Sequence, residues 1–136
     1  MTLDRIKFEF PRILIGVIFL LSGLNGLLDI FPMQRISPEG VDVVDNLKAH
    51  GILWTVIHFG EIIGGFLLIL GSMGQLAVLL LAPVTLSVWV FHSSLSPVGL
   101  WHSYVLLVLE IFLLAFYWKN IFQMLGWRKS LSPHSR

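Results

Sequence analysis

Long apolar runs alternate with short polar segments along the chain, and the runs have the length of membrane-spanning helices. A bilayer's hydrocarbon core requires about 20 consecutive apolar residues in a helix. Four runs meet this requirement and predict helices over about residues 12–31, 52–70, 75–91 and 100–118. The pattern therefore predicts an all-α integral membrane protein, a four-helix bundle that forms a single transmembrane domain over residues 1–136.

The polar segments between the runs mark the connections. Residues 33–51 form a polar loop whose middle, residues 38–50, is predicted to fold into a short helix at the membrane interface. Residues 71–74 form a glycine-containing tight turn, and residues 92–99 form the last connection. Pro83 falls inside the third run. A proline is tolerated there because neighbouring groups or waters take up the carbonyl that it frees.

Basic residues are distributed unevenly between the two sides of the predicted bundle. Four crossings place both termini and the turn at 71–74 on one side. Seven of the nine Lys and Arg residues lie on that side: Arg5, Lys7, Arg12, Lys119, Arg128, Lys129 and Arg136. Because cytoplasmic segments of membrane proteins carry an excess of Lys and Arg, we expect both termini in the cytoplasm. The expected location is a cell membrane, specifically the bacterial inner membrane.

Composition narrows the function further. Hydrophobic residues make up 56 % of the chain and charged residues 12 %, which is far from the balance of a soluble domain. A net charge of +1 gives no reason to expect nucleic acid as a partner; the lipid bilayer is the expected one. The chain has no cysteine, so disulfides, thiolate metal sites and cysteine redox relays are excluded. If the protein takes part in redox chemistry, another molecule must carry the electrons.

Two acids lie at mid-membrane depth. Glu61 is in the middle of the second run and Glu110 in the middle of the fourth. A carboxylate at such a depth costs about 2.5–3.5 kcal/mol to insert, so it requires a partner, a proton or a water-filled cavity. His58 precedes Glu61 by three residues, which places both side chains on one helix face. We therefore expect this pair to line a functional cavity.

Further polar residues extend the same candidate site. Together with the two acids they form a column that begins at the outer leaflet and stops about halfway, because the cytoplasmic halves of the second and fourth helices are apolar. A conducting pore would need polar lining on both halves, so the pattern favours a pocket open outward or laterally. The ligand-binding candidates are Glu61, His58, Asn25, Glu110, His102 and His92. The alternative is that Asn25 only bonds neighbouring helices and that the two outer histidines are simply solvated.

Small residues predict close packing of the first two membrane helices. Gly60 with Gly64, and Ser22 with Gly26, are spaced four residues apart, the separation that lets membrane helices approach closely. Such an approach is also expected to bring Asn25 toward the acid of the second helix.

A metal site is not predicted. His58 and Glu61 reverse the Glu-x-x-His order of di-iron bundles, which also use more carboxylates than this chain provides. A site built from this pair together with His102 and Glu110 matches no known ligand spacing. Nucleophile triads, phosphate loops and dinucleotide fingerprints are also missing from the sequence.

Several stretches, taken in order and spacing, resemble the DoxX and DoxX-like family of small membrane proteins. They are IGVIFLLSGLNG at residues 15–26, EIIGGFLL at 61–68 followed by Gly71, LAPV at 81–84, Phe91 with His92, and PVGL at 97–100. The resemblance implies a four-helix membrane bundle. Some members of the family are subunits of thiosulfate:quinone oxidoreductase, and others are linked to membrane redox or thiol-stress complexes.

Residues and resemblance together give a functional hypothesis: a membrane subunit of a quinone-linked redox system. Glu61 and His58 would hydrogen-bond or exchange protons with a quinone head group, with Asn25 and Glu110 completing the pocket. Electrons would pass between the quinone and a partner, a soluble oxidoreductase subunit. The alternative hypothesis is a non-enzymatic scaffold or small-molecule carrier, whose buried acids serve packing or substrate binding. The sequence does not decide whether the protein is an enzyme.

Overall fold

The computed structural model describes residues 3–32 and 36–126, with side chains from residue 9 onward. These residues form helices and no strand. The helices are α1 (Leu3–Leu28), α2 (Pro38–Ala49), α3 (Ile52–Leu70), α4 (Gly74–Leu95) and α5 (Leu100–Met124), with a 3-10 turn at Pro97–Gly99. Arg35 and the part of the predicted basic tail beyond residue 126 lie outside the described residues.

Four helices, α1, α3, α4 and α5, are each long and apolar enough to cross a membrane. The predicted all-α membrane fold is therefore confirmed. The fifth helix, α2, has 12 residues and occupies the position at which the sequence predicted a short helix. Its N-cap is Ser37, whose hydroxyl accepts a hydrogen bond from the backbone N–H of Gly40, as a serine in this position commonly does.

The ends of the long helices differ from the predicted ends. The first helix stops at Leu28 rather than near residue 31, because Asp29 adopts a left-handed backbone with φ of 47° and the side-chain oxygen of Asn25 accepts the N–H of Phe31 at 2.5 Å. Helix α4, the third of the four membrane helices, continues through His92 to Leu95 rather than ending near residue 91. Pro97 then stops it, since the residue before a proline avoids the helical conformation.

The long helices are arranged in a ring. Along most of its length α1 lies against α3, α4 packs against both α3 and α5, and α1 meets α5 along a much smaller seam. We call the end of the bundle that carries α2, the end of α1 and the start of α5 the α2 side. The opposite end, which carries the tight turn between α3 and α4, is the turn side.

Glycines let α1 and α3 touch backbone to backbone. A Cβ atom on Gly16 would lie 2.8 Å from the carbonyl oxygen of Gly65, and one on Gly65 would lie 2.6 Å from that of Gly16. The predicted close approach of these helices is confirmed, but the prediction for the α3 glycines is wrong. Gly64 faces Leu81 of α4, and Gly60 has no described neighbour within 4 Å. Successive residues are rotated by about 100° around the helix axis, so Gly64 and Gly65, although adjacent in sequence, face different neighbouring helices.

The bundle is densely packed on the turn side. A cluster of buried apolar side chains fills its interior there: Ile15, Phe19, Leu68, Ala77, Val78, Leu81, Leu113, Tyr117 and Ile121. Arg12 closes this end by donating from Nη1 to the carbonyl oxygen of Leu68 at 2.7 Å. That carbonyl belongs to the last turn of α3, where the helix leaves its oxygens without partners and favours a cation. Polar side chains and open space are concentrated toward the α2 side.

Candidate functional site

His58 and Glu61 form a hydrogen-bonded pair on the buried face of α3. The Nδ1 atom of His58 lies 2.7 Å from Oε2 of Glu61, and the two residues are only 9 % and 3 % exposed. Their positions in α3 put them about 9 and 14 Å from its first residue, at a rise of about 1.5 Å per residue. The carboxyl that the sequence marks as costly therefore has a partner on its own helix.

A third residue, Ser22 of α1, joins the pair. Its hydroxyl donates to the same carboxyl oxygen, Oε2 of Glu61, at 3.3 Å. The other ring nitrogen of His58, Nε2, is buried and has no hydrogen-bond partner among the described residues. Because a neutral imidazole has one donor and one acceptor nitrogen, an Nδ1–H that donates to Glu61 leaves Nε2 as a free acceptor. The pair thus presents one unused hydrogen-bonding atom.

The imidazole is held in place from two directions. Its ring lies on Gly26 of α1, where an added Cβ would come within 2.2 Å of Cε1 of His58. Trp54, one helical turn earlier on α3, packs edge-on against the ring with centroids 4.3 Å apart. The indole N–H of Trp54 donates at 2.7 Å to the carbonyl of Gly26, which lies in the last turn of α1 and has no helical partner there. The orientation of Nε2 is therefore fixed by packing.

A cavity of about 560 Å³ lies beside the pair, between α2, α3 and α4. Its wall includes His58, Glu61 and Ser22 and is otherwise mostly apolar: Val44, Leu47, Leu53, Trp54, Ile57, Pro83, Val84, Ser87, Val88, Phe91 and His92. Pro83 and Ser87 are exposed residues of a membrane-spanning helix, so the cavity opens sideways between α3 and α4 at membrane depth. We call it the lateral cavity.

A second cavity of about 490 Å³ lies between α1, α4 and α5 on the α2 side. Asn25, His92, His102 and Ser103 contribute to its wall, together with loop residues after α1. It shares five wall residues with the lateral cavity: Ser22, Val44, Val88, Phe91 and His92. We call it the seam cavity, because it lies where α1 and α5 have little contact. Five of the six candidates therefore line these two adjoining cavities. His58 and Glu61 line the lateral cavity, Asn25 and His102 line the seam cavity, and His92 lines both.

Glu110 stands apart from these groups. It is 2 % exposed, lines neither cavity, and has no hydrogen-bond partner for either carboxyl oxygen among the described residues. Thr85 of α4 is equally buried and its hydroxyl likewise has no described partner. The geometry does not bring Glu110 into the pocket with Glu61. Asn25 also stays away from Glu61, since its side-chain oxygen bonds the backbone of Phe31.

Two contributors to the site, Ser22 and Trp54, were absent from the sequence-based candidates. Both carried a signal: Trp54 precedes His58 by one turn of the same helix, and Ser22 lies one turn from Gly26 on α1. Among the described residues, no three His, Asp, Glu or Cys side chains come together as metal ligands would.

Comparison with known proteins identifies a family for this chain. The family model DoxX matches residues 10–94, well over half of the chain, and this stretch runs from α1 to the last turn of α4. It includes the His58–Glu61 pair and Ser22, while His102 and Glu110 in α5 lie beyond it. Neither the curated proteins nor the solved structures include a match to this chain. With its four apolar helices and this match, the chain is a multi-pass membrane protein that belongs to the DoxX family.

Proposed function

We propose that this protein is a membrane subunit of a quinone-linked redox system and that it binds a quinone head group in the lateral cavity. The observation that carries the proposal is the hydrogen-bonded His58–Glu61 pair in the wall of the lateral cavity. The Nε2 atom of His58, buried beside Gly26, has no hydrogen-bond partner among the described residues. A largely apolar pocket of a few hundred Å³ with a few convergent polar groups is typical of small-molecule sites. At about 560 Å³ the lateral cavity is large enough for a substituted ring.

The sideways opening between α3 and α4 supports a ligand that arrives from the bilayer. Membrane quinones are dissolved in lipid, and their isoprenoid tails remain there when the head group is bound. The exposed faces of Pro83 and Ser87 at the opening would leave such a tail in contact with lipid. A water-soluble ligand would gain nothing from an opening at this depth.

The chemistry proposed for the pair is proton exchange. His58 accepts a hydrogen bond from the ligand's hydroxyl at Nε2, and takes up that proton when the ligand is oxidised. Glu61 then faces an imidazolium at 2.7 Å and stabilises its charge, as a carboxylate does for a histidine base. The two electrons leave through a partner redox protein, a soluble oxidoreductase subunit, since the chain itself has no cysteine, and the proton of the ligand's second hydroxyl is released to water. In the reverse direction the pair returns the proton.

A second candidate function is a non-enzymatic scaffold or small-molecule carrier. It is favoured by the fact that the same polar groups join helices: Ser22 bonds Glu61 across α1 and α3, and Trp54 bonds the carbonyl of Gly26. Interhelical bonds of this kind stabilise membrane bundles by about 0.6 kcal/mol on average. On this view the acid serves packing and the cavity holds lipid or another solute.

Quinone binding separates the two functions. The protein is purified in detergent, its lipids are extracted and searched for quinone by mass spectrometry, and added quinone is titrated. We expect quinone to co-purify, and Glu61→Gln to weaken binding at least tenfold, because a hydrogen bond to a charged group contributes about 1.5–3 kcal/mol.

Glu110→Gln is the matched control, since it changes a buried acid that lines neither cavity, and we expect it to bind quinone like the wild type. Thermal unfolding of each variant verifies that it is folded. The redox proposal is abandoned if no quinone co-purifies and none binds when added. Equal losses of affinity in Glu61→Gln and Glu110→Gln would likewise contradict the assigned site.

A further inference from the structure

Ser22 is exposed although it lies on the core face of α1. Residues 15, 19 and 22 are spaced i, i+4 and i+7, so they share one stripe of the helix. Ile15 is 0 % and Phe19 is 2 % exposed, yet Ser22, one turn further toward the α2 side, is exposed. The core face of α1 therefore passes from sealed packing to open space between Phe19 and Ser22.

The space in front of Ser22 is the seam cavity, and its wall offers groups that hold water. The side chains of Asn25, His92, His102 and Ser103 contribute to it. A buried water needs two to four polar partners and enough room, and a cavity of about 490 Å³ far exceeds the volume of one molecule. His102 is itself exposed on the first turn of α5, so the cavity extends to the end of the bundle.

The opposite direction is closed within the part of the chain that the structure describes. Below Ser22 the interior is filled by the apolar cluster of the turn side, including Phe19, Leu81 and Leu113, and Arg12 packs over the end of α3. A polar path that begins on the α2 side therefore ends at mid-depth. The group it ends on is Oε2 of Glu61, which accepts the Ser22 hydroxyl at 3.3 Å.

We propose that the seam cavity is a water-filled passage that connects the aqueous phase on the α2 side, through Ser22, to the His58–Glu61 pair. The two cavities then have separate tasks at one pair of side chains: lipid-soluble ligand reaches it through the lateral cavity, and water reaches it through the seam cavity. Protons enter and leave the pair on the α2 side only. The passage itself stands whether or not the ligand is a quinone.

Cysteine accessibility tests the passage, because the native chain has no cysteine. Single variants Ser22→Cys, Phe19→Cys and Ile63→Cys are prepared in intact cells and inverted membranes and treated with a charged methanethiosulfonate, which does not cross membranes. Phe19→Cys is the buried control one turn deeper, and Ile63→Cys, 51 % exposed on the outer surface of α3, is the lipid-facing control. Ser94→Cys and Met73→Cys mark the α2 side and the turn side.

We expect Ser22→Cys to react at least tenfold faster than both controls, and only with reagent added on the side that labels Ser94→Cys. Once Ser22→Cys carries the reagent, a water-soluble carbodiimide is expected to modify Glu61 at least fivefold less, as read by peptide mass spectrometry. Asn25→Cys lines the same cavity and replaces Ser22→Cys if that variant does not fold.

Two results overturn the passage: a cysteine at position 22 that reacts only after unfolding in detergent, or one that reacts equally from both sides. Quinone titration of the wild type is read separately. If the protein does not bind quinone but Ser22→Cys is still labelled from one side only, the proposed function is wrong and the passage stands. If the protein binds quinone but Ser22→Cys is not labelled from one side only, the passage is wrong and the proposed function stands.

Discussion

At the scale of single residues, the site depends on which buried polar atoms have partners. His58 uses one ring nitrogen for Glu61, and its other ring nitrogen has no partner among the described residues; both oxygens of Glu110 likewise have no partner among them. The spacing of His58 and Glu61 made their contact predictable, because both lie on one helix. The separation of Glu110 was not predictable, because it depends on how α5 is rotated against its neighbours. Asn25 was unpredictable for a local reason, since it bonds the backbone of Phe31 beyond the end of α1.

Gly26 offers a test of the packing around His58. A methyl group at this position would overlap the imidazole, with ring atoms at 2.2–2.4 Å. We expect Gly26→Ala to displace His58 and to lower the free energy of unfolding by about 1–3 kcal/mol, as overpacking does. Thermal unfolding in detergent measures the loss. Gly60→Ala is the control, since a Cβ there meets no described atom within 4 Å; equal destabilisation by both variants would contradict the account.

At the scale of elements, α2 is the least embedded helix and forms part of the wall of the lateral cavity. Ser37 fixes its start, capping the helix and donating to the carbonyl of Leu95 at the end of α4. Near its end Lys48 bridges to Asp29 at 3.0 Å, but both side chains are substantially exposed and such surface pairs contribute little. The existence of α2 was predictable from its polar, capped sequence. The position of α2 at the lateral cavity was not predictable, because it depends on contacts with α3 and α4.

Removing the Ser37 hydroxyl tests how α2 is held. We expect Ser37→Ala to destabilise α2 by about 1 kcal/mol, the usual cost of losing an N-cap. Hydrogen exchange should then rise across the amides of α2 and stay unchanged across α3. The exposed Ser94 lies near the same end of α4, so Ser94→Ala is the control and should leave exchange in α2 as it was. Faster exchange across the whole bundle would mean that α2 does not open as a separate unit.

At the scale of the whole molecule, the bundle is asymmetric along its axis, with a turn side that is sealed among the described residues and an open α2 side. Four apolar runs were sufficient to predict the four membrane helices. The helix ends were less predictable, because His92 and the serines after it are polar yet remain helical until Pro97. The order of the helices around the ring could not be predicted from the sequence either, since it depends on which glycines lie at which helix–helix contact. The bias of basic residues predicts that the sealed side faces the cytoplasm.

Reporter fusions test that orientation in bacterial cells. A fluorescent protein joined after residue 126 is expected to fluoresce, because it folds in the cytoplasm, and alkaline phosphatase joined there is expected to be inactive. Alkaline phosphatase joined after residue 50, between α2 and α3, should be active. The opposite pattern would contradict the predicted orientation and would place the seam cavity on the cytoplasmic side.

The gap between α3 and α4 has a consequence for how affinity is expressed. A ligand that enters there is drawn from the membrane phase, where acyl chains compete for the same apolar walls near Ile57 and Val84. The occupancy of the lateral cavity is then set by the ligand's mole fraction in the lipid phase. The ligand's concentration in the surrounding buffer does not determine it. Binding constants obtained at different detergent-to-protein ratios will disagree until they are converted to that scale.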